Sequence, residues 1–129
     1  EEEVAFVSEQ ESLEKGVSFI RDNSDIKILF VTLGNKGSIA YYKDEKIYCG
    51  GIHQEHVVDT TGAGDTFCGA VLSRILELGT DALTEKDIRE MLLFANAAAS
   101  IVVTRKGALC SMPEPEEIRA ASSLIDKVL

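Results

Sequence analysis

Tryptophan is absent from these 129 residues, proline occurs twice, and the three cysteines, Cys49, Cys68 and Cys110, form an odd set with no C-x-x-C pair. That usage argues against a disulfide-stapled secreted scaffold and suits three free thiols in a reducing cytosol, each a small semi-buried residue. Positive charge is also scarce: 13 basic residues against 22 acidic ones leave a formal charge of −9. Such a surface disfavours nucleic acid and anionic membranes as partners, but not an anion gripped by backbone donors. No apolar run is long enough to cross a bilayer, and no leader segment is visible. The length suits one domain with a modest core, and the opening Glu1-Glu2-Glu3, without Met, is expected of a piece of a longer polypeptide.

Periodicity predicts an α/β domain. A helical turn is expected over residues 1–8, and a helix over 12–23 with Ser12 as its cap. The nearly continuous apolar run Lys27–Leu33 reads as a buried, parallel strand. Two shorter strands, 38–42 and 46–49, are joined by the Lys43-Asp44-Glu45 turn as antiparallel neighbours. A helix from 64 to 78 has Phe67, Ala70, Val71, Ile75 and Leu78 on its inner face and Gly79 as its stop. Thr84, with Asp87 three residues on, caps a further helix to about residue 104. Pro115 opens the last helix, with Ile118, Ala121, Ile125 and Val128 as its apolar stripe.

The segment Val57-Val58-Asp59-Thr60-Thr61-Gly62-Ala63-Gly64-Asp65-Thr66-Phe67 carries the most chemistry. It ends an extended run, makes a glycine turn and opens an apolar helix. Gly62 and Gly64 let successive N–H groups point into one concave nest, and the helix start adds partial positive charge. Asp65 within that cluster is placed to take a proton from an attacking hydroxyl. Anion nest and base in one segment suit phosphoryl transfer. A plain tight turn with a helix-capping Asp satisfies a lone G-A-G-D equally well.

Three further segments are ambiguous in the same way. Thr32-Leu33-Gly34-Asn35-Lys36-Gly37-Ser38 leaves the apolar strand at the end where open α/β sheets bind ligands, yet also reads as a simple turn. Its spacing is not that of a Walker A loop. Ala95-Asn96-Ala97-Ala98-Ala99 allows close approach of something flat, or close helix packing. Thr104-Arg105-Lys106-Gly107-Ala108-Leu109-Cys110-Ser111-Met112-Pro113 satisfies a helix end and turn. His53-Gln54-Glu55-His56 invites a metal reading, but with no third ligand nearby it reads as exposed loop.

The string D-T-T-G-A-G-D-T-F at 59–67 resembles the C-terminal signature of the PfkB/ribokinase family of sugar and nucleoside kinases. V-T-L-G-N-K-G at 31–37 and R-K-G-A-L-C-S-M-P at 105–113 resemble further segments of that family, so the likeness spans nearly the whole chain. It implies the C-terminal part of a ribokinase-like, Rossmann-like three-layer α/β/α fold, with residues 1–129 as the ATP-binding portion. It implies Asp65 as catalytic base, with the N–H groups of Gly62, Ala63 and Gly64 holding the developing charge. Thr32, Gly34 and Gly37 would lie along the nucleotide phosphates and ribose, and Asn96 and Ala97 would border adenine. Mg²⁺ would bridge the phosphates. Glu3 falls where the family's N-x-x-E magnesium motif places its acid, the motif's Asn preceding residue 1. In ribokinase-like members a monovalent cation such as K⁺ is held by oxygens at positions matching Asp59, Thr61 and Ser111, with nearby carbonyls. The implied reaction is ATP-dependent phosphorylation of a small sugar, with fructose first. The alternatives are a nucleotide-binding or interaction module without turnover, and a nucleoside kinase of the same family. The sugar-binding motifs and β-sheet lid of the family's N-terminal half are not found here. That half of the same enzyme is therefore an expected partner, and the chain alone is expected to self-associate into an oligomer and to lack activity.

Overall fold

The computed structural model describes residues 1–107 and 109–125. The elements in chain order are α1 (Glu2–Ser8), α2 (Leu13–Asp22), β1 (Ile28–Thr32), β2 (Gly37–Tyr42), β3 (Glu45–Gly50), α3 (Ala63–Leu78), α4 (Glu85–Val102) and α5 (Pro115–Ile125). Short 3₁₀ turns lie at Gly34–Lys36 and Leu109–Ser111.

The three strands form one sheet in the order β1-β2-β3, antiparallel throughout. Thr32 faces Ser38 across the first pairing, and Gly37 faces Gly50 across the second. Strand side chains alternate between faces, and each face here meets its own helical layer. Ile28, Phe30, Ala40, Tyr42, Ile47 and Cys49 belong to the larger core, built with α3, α4 and α5. Leu29, Val31, Ile39 and Tyr41 belong to a smaller core closed by Val4 of α1 and Val17 of α2. The result is the expected α/β/α sandwich.

This two-sided cover corrects the reading of β1 as a parallel strand. Its run of apolar residues arises because both faces are packed, and its partner among the described residues, β2, is antiparallel. The other edge of β1 has no strand partner among the described residues.

Helix starts follow the sequence closely. Ser12 Oγ accepts from the Lys15 N–H at 3.3 Å. Thr84 and Asp87 form a full reciprocal capping box: the Thr84 N–H donates to Asp87 Oδ2 at 2.8 Å and the Asp87 N–H to Thr84 Oγ1 at 3.2 Å. Helix α4 is the structural spine, with Ile88, Met91, Leu92, Ala95 and Val102 wholly buried. On α3, Phe67, Ala70 and Val71 are buried as expected, but Leu78 is exposed at the last residue before the Gly79 stop. The opposite stripe of α3 exposes Leu72 at 53% and Leu76 at 87%, one turn apart, so this helix has apolar residues on two faces. On α5, Ile118 is buried and Ala121 packs against the core, whereas Val128 and the side chain of Ile125 lie outside the described residues.

Candidate active site

Where β1 ends, the chain turns through Gly34–Lys36 and re-enters as β2. Gly37 has φ +104, and a Cβ there would stand 2.2 Å from the Cys49 carbonyl oxygen, so only glycine fits. Gly51 is as tightly placed, its Cβ position 2.2 Å from the Asn35 carbonyl oxygen. The Lys36 carbonyl accepts from the Tyr48 hydroxyl at 2.7 Å and from the Gly51 N–H at 3.1 Å. The glycine turn is thus locked to the far end of β3.

Beside it lies a crevice of roughly 370 Å³ with mostly apolar walls. Thr32, Gly34 and Gly37 form one side, Ala63, Gly64 and Phe67 of α3 another, and Asn96, Ala99 and Val103 of the α4 region the floor. The two glycine segments predicted to share a site do share one.

The nest is real, but its parts differ from expectation. The positive backbone angle belongs to Gly62, φ 84, which caps α3. Gly64 is already helical; a Cβ there would meet open space, so the crevice, not backbone geometry, is what a side chain at 64 would obstruct. The Ala63 N–H donates to Thr60 O at 3.3 Å, while the N–H groups of Gly64 and Asp65 have no protein acceptor among the described residues. They are the orphan donors of a helix start, in place for an anion.

Asp65 is exposed at the start of α3 and lines a neighbouring groove with Thr66, Met112 and Pro113, while Gly64 lines the crevice.

The expected cation segment is drawn together by Asp59. Its Oδ1 accepts from the Thr61 N–H at 2.9 Å and its Oδ2 from the Gly107 N–H at 3.3 Å. Hydrogen bonding from Thr61, side chain first and then backbone, with the Gly107 N–H adding to it, holds the Asp59 carboxyl below its ordinary range. The N–H groups of Val58 and Asp59 both donate to Val103 O, at 2.8 and 3.2 Å. Ser111 is buried and its Oγ donates to Lys106 O at 2.9 Å. Asp59, Thr61 and the 105–111 turn thus form one neighbourhood of hard oxygens, the donor type that suits K⁺.

Of the two residues expected to border adenine, Asn96 lines the crevice; Ala97, also on α4, is fully buried in the core and is not among the lining residues, whereas Ala99 and Ser100 are. Asn96 reaches the wall, but its carboxamide is engaged within the protein. Its Nδ2 donates to Cys49 O and Gly50 O, both at 3.2 Å, and its Oδ1 accepts from Ser38 Oγ at 2.9 Å. Asn96 is a clasp between α4 and the ends of β2 and β3. Glu3 is exposed on α1 and does not line the crevice.

Sequence reading missed the segment after β3. His53 and Gln54, taken as exposed loop, border the crevice with Ile52 and Val57. Their only sequence signal was position between two glycine motifs. Among the described residues no three His, Cys, Asp or Glu side chains gather as a metal site.

A crevice between a glycine turn and a helix-start nest, on the edge of an α/β/α sandwich, is the architecture of a ribokinase-like fold. The pfkB family carbohydrate kinase model matches residues 1–115, and the chain belongs to that family. It is 38% identical over 120 residues to fructokinase-1 of Oryza sativa subsp. japonica, covering 92% of this chain and 36% of that protein. Its structure matches a fructokinase from Vibrio cholerae O395, solved with fructose, ADP and calcium ion, at TM-score 0.81 and 32% identity, covering 93% of this chain and 38% of that one. A ribokinase of Arabidopsis thaliana, complexed with ribose and ATP, matches at TM-score 0.78 and 33% identity, covering 95% and 38%. The chain thus spans little more than a third of the length of these relatives. Among the described residues no helix is long and apolar enough to cross a membrane.

Proposed function

We propose that this chain is the ATP-side, C-terminal portion of a sugar kinase that moves the γ-phosphoryl of ATP to a sugar hydroxyl, with fructose the first candidate. The observation that carries this reading is the pair of unpaired N–H donors at Gly64 and Asp65, set between an apolar crevice and a free carboxylate. The base and ribose of ATP fill the crevice along Thr32, Gly34 and Gly37. The phosphates reach the nest, whose donors meet the charge that develops in transfer. Asp65, exposed at the same helix start, accepts the proton of the attacking hydroxyl. Mg²⁺ would sit on the phosphates and supply charge neutralisation, with Glu3 of α1 the acid that the family resemblance assigns to it. K⁺ fits the oxygens around Asp59, Thr61 and Ser111.

The sugar site and a lid come from the N-terminal portion of the same enzyme. Leu72 and Leu76 on α3 and the open edge of β1 are the surfaces it would cover. The test is Asp65→Asn in the complete enzyme. The expected result is a loss of about 10²–10⁴ in kcat with ATP affinity changed only a few fold. A variant that keeps most of its turnover removes Asp65 from this role. A nucleotide-binding module without turnover is the second reading. ADP release by the 129-residue chain in the absence of its partner half, dependent on fructose, would reject both the second reading and the need for that half.

A further inference from the structure

The polar side chains around the crevice are not equally available. Both amide hydrogens of Asn96 go to the Cys49 and Gly50 carbonyls, and the Ser100 hydroxyl donates to Ala97 O at 2.8 Å. The floor formed by α4 therefore presents no free side-chain donor to a bound base. Thr32 and Asn35 stand at the glycine turn and Thr60 beside the nest.

The segment joining β3 to the nest is different. It is fastened at its start, where the Gly51 N–H meets Lys36 O at 3.1 Å, and at its end, where Val58 and Asp59 meet Val103 O. Between these anchors it crosses the crevice from the glycine turn to the C-terminal end of α4. Ile52 and Val57 offer apolar surface there, and His53 and Gln54 stand between them. Gln54 is half-buried, and among the described residues no protein group hydrogen-bonds its carboxamide.

Resting on the reading of this crevice as a nucleotide site, we infer that Gln54 is the residue that reads the base, and that it selects adenine over guanine. A carboxamide holds a donor and an acceptor side by side. Adenine presents the matching pair at its N6/N7 edge, an amino donor beside a ring-nitrogen acceptor, and Gln is a geometric match for that edge. Guanine presents two acceptors there, O6 and N7, of which a carboxamide in the same pose satisfies only one. The apolar residues on either side hold the base plane, and Gln54 reads its edge. His53, exposed at the rim, is not required.

The experiment uses the full-length enzyme carrying this chain, with ATP and GTP affinities measured by calorimetric titration for wild type, Gln54→Ala, Gln54→Glu and His53→Ala, and folding checked by circular dichroism. Wild type should prefer ATP. Gln54→Ala should lose about tenfold in ATP affinity while GTP changes little. Gln54→Glu should also lower ATP affinity and should not raise GTP affinity, because a carboxylate has nothing to donate to N7 of adenine and meets two acceptors, O6 and N7, on guanine. His53→Ala should keep the wild-type preference. An ATP-to-GTP ratio unmoved by both Gln54 variants, or equal loss of both nucleotides, overturns the inference while leaving the crevice a nucleotide site. A ratio moved only by His53→Ala also overturns it. Failure of the folded wild type to bind either nucleotide rejects the nucleotide reading, and this inference with it.

Discussion

Replacing Asn96 with Leu keeps the approximate volume of the side chain and removes all three of its clasping hydrogen bonds. The Ser38 hydroxyl is fully buried and loses its acceptor, and the buried Cys49 residue loses a donor to its carbonyl. The Gly50 residue is exposed, so its carbonyl can turn to water. A buried polar group left unpaired costs about 1–3 kcal/mol, so two such groups put the expected loss at about 2–6 kcal/mol. For a chain of this length that is a fall of about 10 °C or more in Tm. Urea unfolding of the chain measures the loss directly. A double-mutant cycle with Ser38→Ala isolates the shared bond: the two changes together should cost about 1 kcal/mol less than their sum, because each removes the same interaction. Nucleotide affinity should fall as well, since the clasp sets the distance between α4 and the glycine turn. Asn96→Leu within about 0.5 kcal/mol of wild type, or a cycle that is simply additive, would refute the clasp.

Gly51→Ala places a methyl group 2.2 Å from the Asn35 carbonyl, so the glycine turn must shift; the expected result is weakened nucleotide binding together with lowered stability, and an unchanged Kd would show the turn to be tolerant. Asp59 has a carboxyl pKa lower in the folded chain than in the unfolded one, so its ties to Thr61 and Gly107 contribute stability above the unfolded value of about 3.9 and lose it as pH falls through the folded value. Acid unfolding should accordingly lose part of its pH dependence in Asp59→Asn, and identical acid profiles would contradict this. Leu76→Glu on the exposed face of α3 should reduce self-association of the isolated chain, read by light scattering; unchanged mass would show that this face is not the contact.

Local signals were readable in the sequence, and long-range partners were not. The Ser12 and Thr84 caps, the Lys43-Asp44-Glu45 hairpin and the start of α5 at Pro115 depend on residues within a few positions of one another. The wrong direction assigned to β1 has a physical cause: a strand packed on both faces is apolar at every position whatever the orientation of its neighbour. The resemblance places Asn96 and Ala97 beside adenine, and the alanine-rich pattern does not say which side of α4 faces the sheet; Asn96 lines the crevice and Ala97 lies in the core. Asn96 meets its acceptors 46 and 47 residues away in sequence, and no local spacing reveals that. The nest at 62–65 was legible because its chemistry is local backbone. That Gly64 and Asp65 open onto different spaces follows from how α3 lies against its neighbours. His53 and Gln54 were passed over because nothing in their own identity distinguishes a crevice wall from a loop.

The two cores of the sandwich are unequal. The layer of α1 and α2 is held by a handful of residues around Val4, Val17 and Val31, whereas α4 anchors a far larger cluster on the other face. Opening free energy follows buried apolar contact, so α1 and α2 form the unit that detaches first, at a cost below that of global unfolding, while the crevice on the other layer stays intact. Amide exchange should be fast in α1 and slow in α4. Glu3 rides on that detachable unit. A ligand that engages Glu3 then carries part of the closing energy of α1, so occupancy and closure are thermodynamically linked: filling the site slows exchange in a helix that scarcely touches it.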